Sequence, residues 1–342
     1  MQDIKELSFG ELENALKNWG EPAFRAKQIF SWIYQKKIKD FSRMSDLRAA
    51  LRKRLEEHYC LSSLHLARTL ASRDGTQKYL FELSDRNFIE SVLIPADNRV
   101  TGCISTQVGC KFCCSFCASG LSGFKRNLTC AEIIEQALYL KDSLQEKKLT
   151  HLVFMGTGEP LDNYTNVLKA VRVINSPLAF NIGARRITIS TSGLIPAMKR
   201  LADEGLQTEL SVSLHAADEK LRSSIMPVNK KYPLKDLLNA CRDYIKKTGR
   251  QITFEYILFK GINSDLQSAL NLGKILKGLN CKVNLIPANP IKELGVSPPG
   301  KLEILIFRDT LLRQDINVTL RRPRGQDIEA ACGQLRLKYV KK

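Results

Sequence analysis

The sequence predicts an α/β fold of repeated βα units, with a basic helical module before it and a short β meander between the two. Three observations predict it. From about residue 98 onward, short apolar runs alternate with longer helix-like stretches, the pattern of a parallel sheet, open or closed into a barrel. Between about 64 and 95 the apolar runs are separated by turn signals instead of helices, which marks an antiparallel meander. Up to about residue 60, apolar side chains recur at helical spacing among many lysines and arginines.

In the first zone Phe24, Ile29, Phe30, Trp32 and Ile33, then Leu47, Leu51 and Leu55, form the apolar stripe. Arg25, Lys27, Lys36, Lys37, Lys39, Arg48, Arg52, Lys53 and Arg54 decorate the same stretch. That suits contact with RNA phosphates, and a solvated helix face nearly as well. In the second zone Asp74-Gly75 and Asp85-Arg86-Asn87 are turns beside Tyr79-Leu80-Phe81 and the run 88–94. The third zone offers strands near Cys103-Ile104 and at 152–155, 187–189, 210–212, 252–257 and 283–286, with a seventh candidate at 318–320. Helices fill the gaps, for example 234–247 and 301–313, and Thr129-x-x-Glu132 is a capping box that starts another.

In such folds chemistry gathers at the C-terminal ends of the strands. A cysteine-rich loop follows the first strand of the third zone. Gly156-Thr157-Gly158-Glu159-Pro160 follows the second, Ser190-Thr191-Ser192-Gly193 the third, Ser213-Leu214-His215 the fourth and Pro287-Ala288-Asn289-Pro290 the sixth. Five polar or glycine-rich segments therefore converge on one rim, which predicts a single site above a partial barrel.

A chain of 342 residues is long enough for one large α/β core plus an appendage. Its net charge of +18 favours a polyanionic partner, nucleic acid before anionic membrane, over a merely solvated surface. No apolar run is long enough to span a bilayer, and the segment from Met1 to Leu7 lacks the form of an export signal. The chain is therefore expected in the cytoplasm. Ten cysteines there serve as ligands, catalysts or packed thiols rather than structural disulfides. Cys60, Cys130, Cys241 and Cys281 are expected in the core.

Cys110, Cys114 and Cys117 stand in the order C-x3-C-x2-C. Three such thiolates can hold three irons of a [4Fe–4S] cluster and leave the fourth iron open to a small molecule. Cys113 adds a fourth thiol, so zinc is the rival. Structural zinc commonly takes two C-x2-C pairs across a spacer, and here the pairs Cys110/Cys113 and Cys114/Cys117 abut. A two-cluster ferredoxin run would need cysteine where Phe116 stands. The spacing favours the cluster over zinc and over plain buried thiols, and gives no role to Cys113.

These residues resemble those of radical S-adenosylmethionine (SAM) enzymes, and more narrowly the RlmN/Cfr family of RNA methyltransferases. The likeness is carried by the cluster cysteines, by Cys103-Ile104-Ser105-Thr106-Gln107-Val108-Gly109-Cys110, by Gly123-Phe124-Lys125-Arg126-Asn127-Leu128 and by Met155-Gly156-Thr157-Gly158-Glu159-Pro160-Leu161. It continues in Ser213-Leu214-His215-Ala216, in Asn284-Leu285-Ile286-Pro287 and in the block from Arg324 to Leu335, with the stretch from Gly20 to Gln28 at the N-terminal end. It covers nearly the whole chain. The final block is the most specific, whereas Gly-x-Gly-Glu-Pro alone is weak.

The resemblance implies a partial (β/α)6 radical SAM barrel at 97–322. Before it would come an N-terminal helical accessory, RNA-binding domain at 1–60 and an antiparallel β extension at 61–96. A C-terminal segment at 323–342 would carry a methyl-bearing cysteine. The implied reaction is methylation of adenine at carbon 2, in the peptidyl-transferase centre of 23S rRNA and 3′ of the anticodon of certain tRNAs. The Cfr branch methylates carbon 8 of the same rRNA base, and the block from Arg324 to Ile328 looks more like the carbon-2 branch. Two other classes stay open: a radical SAM enzyme of different reaction type, and a non-catalytic RNA-binding protein with a structural cluster.

Carbon 2 of adenine is electron-poor and will not attack the electrophilic methyl of SAM, so a radical route is needed. In the family's mechanism one SAM methylates a cysteine. A second SAM yields a 5′-deoxyadenosyl radical that takes hydrogen from the S-methyl group, and the methylene radical adds to the base. A second thiol then breaks the protein–RNA thioether, leaving a disulfide that exchange reopens.

By likeness Cys332 is the methyl carrier, Cys103 the resolving thiol and Glu90 the proton acceptor. Glu90 shares an alternating strand face with Phe88, Val92 and Ile94, a setting that desolvates a carboxylate. The blander readings are a packed small residue, a buried strand cysteine, and a solvated or salt-bridged glutamate. Gly158 and Glu159 would bind SAM, the carboxylate accepting from its ammonium group. Ser190 would touch its polar end, Ser213, Leu214 and His215 would lie alongside, and Asn289 would meet the nucleoside part. Each could instead be loop structure, and His215 lacks a nearby second histidine that would make it a metal ligand.

The implied cofactors are one [4Fe–4S] cluster and SAM, two per turnover. The implied partners are 23S rRNA, tRNA and an electron donor such as flavodoxin or ferredoxin, with no membrane and a monomeric chain. Lys125-Arg126, Arg185-Arg186, Lys230-Lys231 and Arg321-Arg322 with Arg324 are expected near the rim, where phosphate contacts make binding salt-dependent. The target base must leave its stack to react.

Overall fold

The computed structural model describes residues 1–121, 123–290 and 295–335. The last part of the C-terminal segment, 336–342, lies outside the described residues.

One ten-stranded sheet organises the chain. Its strands are β1 (His65–Ala71), β2 (Gln77–Glu82), β3 (Phe88–Ala96), β4 (Arg99–Cys103), β5 (His151–Phe154), β6 (Ile187–Thr191), β7 (Glu209–Ser213), β8 (Ile252–Leu258), β9 (Cys281–Pro287) and β10 (Asn317–Leu320). Their order in space follows their order in sequence. Pairs from β1 to β4 are antiparallel, and pairs from β4 to β10 are parallel. The meander is thus not a separate layer. It continues the wall of the barrel through β4, which runs against β3 and along β5. The six expected βα units are present, and the seventh candidate strand joins them as β10 beside β9.

Sequential parallel strands with right-handed crossovers carry all their helices on one face. Buried Ile189, Leu210, Val212, Phe254, Val283 and Leu285 alternate with Thr188, Ser211, Thr253, Lys282 and Asn284, which line a cavity on the opposite, concave face. The predicted capping box at Thr129 is closed on both sides, and the helix Cys130–Asp142 follows it. The helices Leu234–Thr248 and Lys301–Leu312 fall where the periodicity placed them.

The first sixty residues fold as helices Phe9–Asn18, Phe24–Phe30 and Ala49–His58, closed by a parallel pairing of Gln2–Asp3 with Tyr59–Cys60. They dock on the barrel helices. Lys5 is 2% exposed and pairs with Asp3 at 3.1 Å and Glu135 at 3.3 Å. The first turn of Cys130–Asp142 gives an N–H, from Ala131, to the Glu6 carboxylate at 2.6 Å. Leu12, Phe30 and Leu55 share one continuous core with Ile133, Leu152 and Phe254. Cys130, Cys241 and Cys281 are buried as expected, but Cys60 is not. It lies in a two-residue strand of a narrow ribbon, half-buried like its neighbour Tyr59. Among the described residues no helix is long and apolar enough to cross a membrane.

Candidate functional site

The cysteine loop starts beyond the end of β4. Gln107–Val108 pairs with Arg126–Asn127, and the Lys125 N–H donates to the Val108 carbonyl at 2.9 Å, which closes the loop at its neck. Gly109 permits that neck: its φ is +75°, and a Cβ there would lie 1.7 Å from the Gly123 carbonyl oxygen. Cys110, Cys114 and Cys117 are partly buried on this loop. Cys113 is exposed, has φ 48°, and directs its thiol at the Lys111 carbonyl at 3.6 Å. A left-handed residue turns its side chain out of the run, which sets Cys113 apart from Cys110, Cys114 and Cys117.

Burial pushes the Cys110 thiol up to about 12 and also raises Cys114 and Cys117. Cys117 raises Cys110 further, and both raise Cys114. These are neutral thiols within electrostatic reach of one another, the kind that releases protons when a metal centre binds. Among the described residues no three His, Cys, Asp or Glu side chains converge on one ion position. Three thiols spread along one loop fit a cluster that takes one thiolate per iron.

The loop after β5 packs against the chain leading into the cysteine loop. A Cβ at Gly156 would lie 2.7 Å from the Ile104 carbonyl, and one at Gly158, whose φ is +105°, would lie 2.6 Å from the Gln107 Cβ. Glu159 is 4% exposed. Its Oε1 accepts from the Leu161 N–H at 3.0 Å and its Oε2 from the Ser192 N–H at 2.7 Å. Burial raises its pKa, against the pull of those hydrogen bonds. Gln107 accepts from the Glu159 N–H at 2.9 Å and fixes the same turn.

Ser190 and Ser213 lie half-buried at the ends of β6 and β7, and Leu214 is fully buried. His215 is buried with φ 57°. Its Nδ1 accepts from the Ile257 N–H at 3.1 Å, which assigns the ring hydrogen to Nε2. Burial and the Arg222 charge push the ring down to about 3, so it is neutral, and it meets the Phe116 ring of the cysteine loop edge-on at 4.8 Å. Arg222, wholly buried, ties the rim together. It donates to the carbonyls of Ser192 at 2.9 Å, Ser213 at 3.1 Å and Leu214 at 3.2 Å.

The segment 325–335 folds back over this rim. Gly325 gives its N–H to Asp74 at 2.9 Å. The Ala118 N–H donates to the Gly333 carbonyl at 2.8 Å, and the Ser119 hydroxyl to the Leu335 carbonyl at 3.2 Å. Asn289 donates to the Cys332 carbonyl at 3.0 Å and accepts from Gln326 at 2.8 Å, so its carboxamide faces this segment. Cys332 and Cys103 line one small pocket with Met155, Ile286, Asn289 and Arg321. Burial pushes the Cys103 thiol up to about 12, and Cys332 adds to it. Cys332 also raises Cys117. It thus stands between a buried strand thiol and the cysteine loop.

Glu90 is 1% exposed, and its Oε1 lies 3.0 Å from the Lys78 Nζ. Lys78 also donates to the Glu329 carbonyl at 3.0 Å. Val92 pairs across the sheet with Lys78 on one side and Cys103 on the other, which puts Lys78, Glu90 and Cys103 on one face. The carboxylate is desolvated as the strand pattern predicts, but it belongs to a buried charge pair rather than standing alone.

Not all the basic clusters lie on the rim. Arg185 and Arg186 sit in the turn before β6, at the N-terminal ends of the strands and therefore at the far end of the barrel. Arg126 is committed to Asp85 at 2.6 Å and Glu132 at 2.8 Å. Arg321 lines the thiol pocket, and Arg322 and Arg324 are exposed beside it. At the far end Lys37, Lys141, Lys147, Lys148 and Arg186 surround a cavity of about 390 Å³ between the N-terminal helices and the barrel.

Sequence reasoning missed Lys78 and Arg222. For Lys78 a signal existed, since strand alternation puts it on the face of buried Leu80. Arg222 sits in a short helix between Leu221 and Ile225, where one charge among apolar neighbours reads as solvent-facing.

Residues 104–272 match the Radical SAM superfamily, and residues 2–61 match the ribosomal RNA large subunit methyltransferase N-terminal domain. A protein of Caldanaerobacter subterraneus named "Probable dual-specificity RNA methyltransferase RlmN" is 44% identical over 342 residues, which is all of this chain and 99% of that protein. A Thermotoga maritima protein of the same name is 46% identical over 100% of this chain and 99% of its own length. The crystal structure of a radical SAM methyltransferase from Sphaerobacter thermophilus matches with a TM-score of 0.93 at 43% identity, over 98% of this chain and 99% of that one.

Proposed function

The chain belongs to the RlmN family of radical SAM RNA methyltransferases, and from that premise we propose that it methylates carbon 2 of adenosine in the peptidyl-transferase centre of 23S rRNA and 3′ of the anticodon of certain tRNAs. The observation that supports this most is the place of Cys332, sharing a pocket with Cys103 and within electrostatic reach of Cys117. A methyl-carrying thiol needs both neighbours: the radical source on one side and a second thiol on the other.

Cys110, Cys114 and Cys117 would hold a [4Fe–4S] cluster, and that group would supply the one-electron chemistry the reaction needs from SAM. Gly158, Glu159, Ser190, Ser213, Leu214, His215 and Asn289 line the SAM position. The turn that Gln107 and Gly158 hold, and the carbonyls that Arg222 gathers, preorganise that position. Cys332 takes its methyl group from a first SAM and presents it to the base, with a second SAM consumed in each turnover. Glu90, beside Lys78, takes the proton from carbon 2. The Cys103 thiolate attacks the Cys332 sulfur, the sulfur–carbon bond breaks with its electron pair on the methylene carbon, that carbon takes up a proton to become the methyl group, and the resulting Cys103–Cys332 disulfide is reopened by thiol exchange.

The choice of carbon 2 over carbon 8 rests on the block from Arg324 to Ile328. The electron donor is a flavodoxin or ferredoxin, and the protein acts as a monomer in the cytoplasm. Mass spectrometry of nucleosides from rRNA incubated with reconstituted protein, SAM and reductant tests the reading. Carbon-2 methyladenosine supports it, and carbon-8 methyladenosine alone overturns the branch.

A further inference from the structure

The pocket that holds Cys103 and Cys332 measures about 30 Å³, room for a small group and not for a purine. It shares Ile94, Met155, Arg321 and Arg324 with a neighbouring cavity of about 590 Å³ on the concave face of the sheet. That cavity is large enough for a nucleotide. Its wall carries Ser211, Glu255 and Asn284 from three adjacent strands.

Glu255 is 6% exposed. One carboxylate oxygen accepts from the Ser211 hydroxyl at 3.1 Å and the other from the Asn284 amide at 2.8 Å. Both donors are neutral. Burial raises the pKa of Glu255 while Arg321 and Lys282 on the same cavity pull it down again, and each of its oxygens keeps a further lone pair. Asn284 spends its Nδ2 on Glu255, which leaves Oδ1 as another acceptor. The wall is therefore rich in acceptors and steadied from both sides. Its complement is an amine, and the exocyclic amine of adenine is one. Carbon 2 and the amine-bearing carbon 6 flank N1 on the same ring. A base with carbon 2 towards the thiols can therefore show its amine to the lumen wall.

We infer that the lumen cavity receives the flipped target adenine and that Glu255, held by Ser211 and Asn284, accepts a hydrogen bond from its exocyclic amine as the residue that selects the base. Arg321, Arg322 and Arg324 at the same cavity meet the phosphates on either side. The inference rests on the methyl-transfer reading above.

The test compares two RNA hairpins that differ only at the target position, one with adenosine and one with purine ribonucleoside, which lacks the amine. Unaltered protein should methylate the purine hairpin with a kcat/KM at least tenfold lower and bind it more weakly by fluorescence anisotropy. In Glu255→Ala the difference between the two hairpins should shrink to within about threefold. Comparing that ratio between the two proteins cancels the difference in intrinsic reactivity of the two rings, and binding to unaltered protein, which is free of that difference, gives the first result should the variant fold poorly. Equal use of both hairpins by unaltered protein overturns the inference. So does an undiminished preference for adenosine in Glu255→Ala. Failure of unaltered protein to methylate the adenosine hairpin overturns the underlying reading, and with it this one.

Discussion

Asn289 donates its side-chain amide to the backbone carbonyl of Cys332 at 3.0 Å. A residue on the rim segment after β9 thus holds the position from which a methyl group would be delivered. The same carboxamide accepts from Gln326, so one side chain fastens both ends of the returning segment.

That clamp predicts a split between stability and activity. Asn289→Ala should cost about 1 kcal/mol of stability, the usual net worth of one such hydrogen bond. Methyl transfer should fall roughly tenfold to a hundredfold, because small misplacements of reacting groups are expensive. Iron and sulfide content after reconstitution should stay at the level of unaltered protein. A variant that keeps full activity removes the clamp from the account.

The two thiols predict opposite phenotypes. Cys332→Ala should transfer no methyl group. Cys103→Ala should form the protein–RNA thioether and fail to release it, so a covalent adduct accumulates on denaturing gels. Normal turnover by Cys103→Ala would remove its resolving role.

Lys78 and Glu90 form a buried pair at 3.0 Å, both about as buried as a side chain can be. Breaking such a buried pair by removing one member is strongly destabilising, typically by about 3–5 kcal/mol. Lys78→Met should therefore lower the denaturation midpoint strongly, and adding Glu90→Leu should recover most of the loss. Glu90→Gln keeps the shape and should fold, while losing methyl transfer at the proton-removal step. Equal activity for Glu90→Gln and unaltered protein ends that assignment.

Asp74 anchors the start of the returning segment. Burial alone would raise its carboxyl, but the neighbouring Thr76 side chain and hydrogen bonds from the Gly325 N–H and the Thr76 N–H outweigh it and bring the pKa down to about 2. A folded-state pKa below the ordinary 3.8 contributes stability that is fully present above about pH 4 and is lost as pH falls through 2. Screening at this half-exposed site limits the contribution to about 1 kcal/mol. Asp74→Ala should remove that acid-sensitive part and speed hydrogen exchange across 325–332 at neutral pH. Unchanged exchange there would show that the other contacts suffice.

The fold was legible because its signals are local. Strand alternation, the turn at Asp74-Gly75 and the capping box at Thr129 each act over a few residues, and the chain obeyed all three. The rim was legible because parallel strands share their ends, so segments following Phe154, Thr191, Ser213 and Pro287 had to meet. The same rule places Arg185 and Arg186 at the opposite end, since they precede their strand. What the sequence hid were partners distant along the chain. Nothing near Glu90 announces Lys78, and nothing near Ser192 or Ser213 announces the buried Arg222 that gathers their carbonyls. Cys113 is a further case: its exposure goes with a left-handed backbone, which spacing alone does not show.

The central claim is that the methyl group passes through Cys332 on its way to carbon 2 of an adenosine. Reconstituted protein incubated with methyl-labelled SAM should show label first on the peptide containing Cys332. On adding reductant and RNA, that label should move to carbon 2 of a single adenosine in 23S rRNA. Label reaching the RNA from a Cys332→Ala protein, or never appearing on Cys332 in the unaltered one, would contradict it.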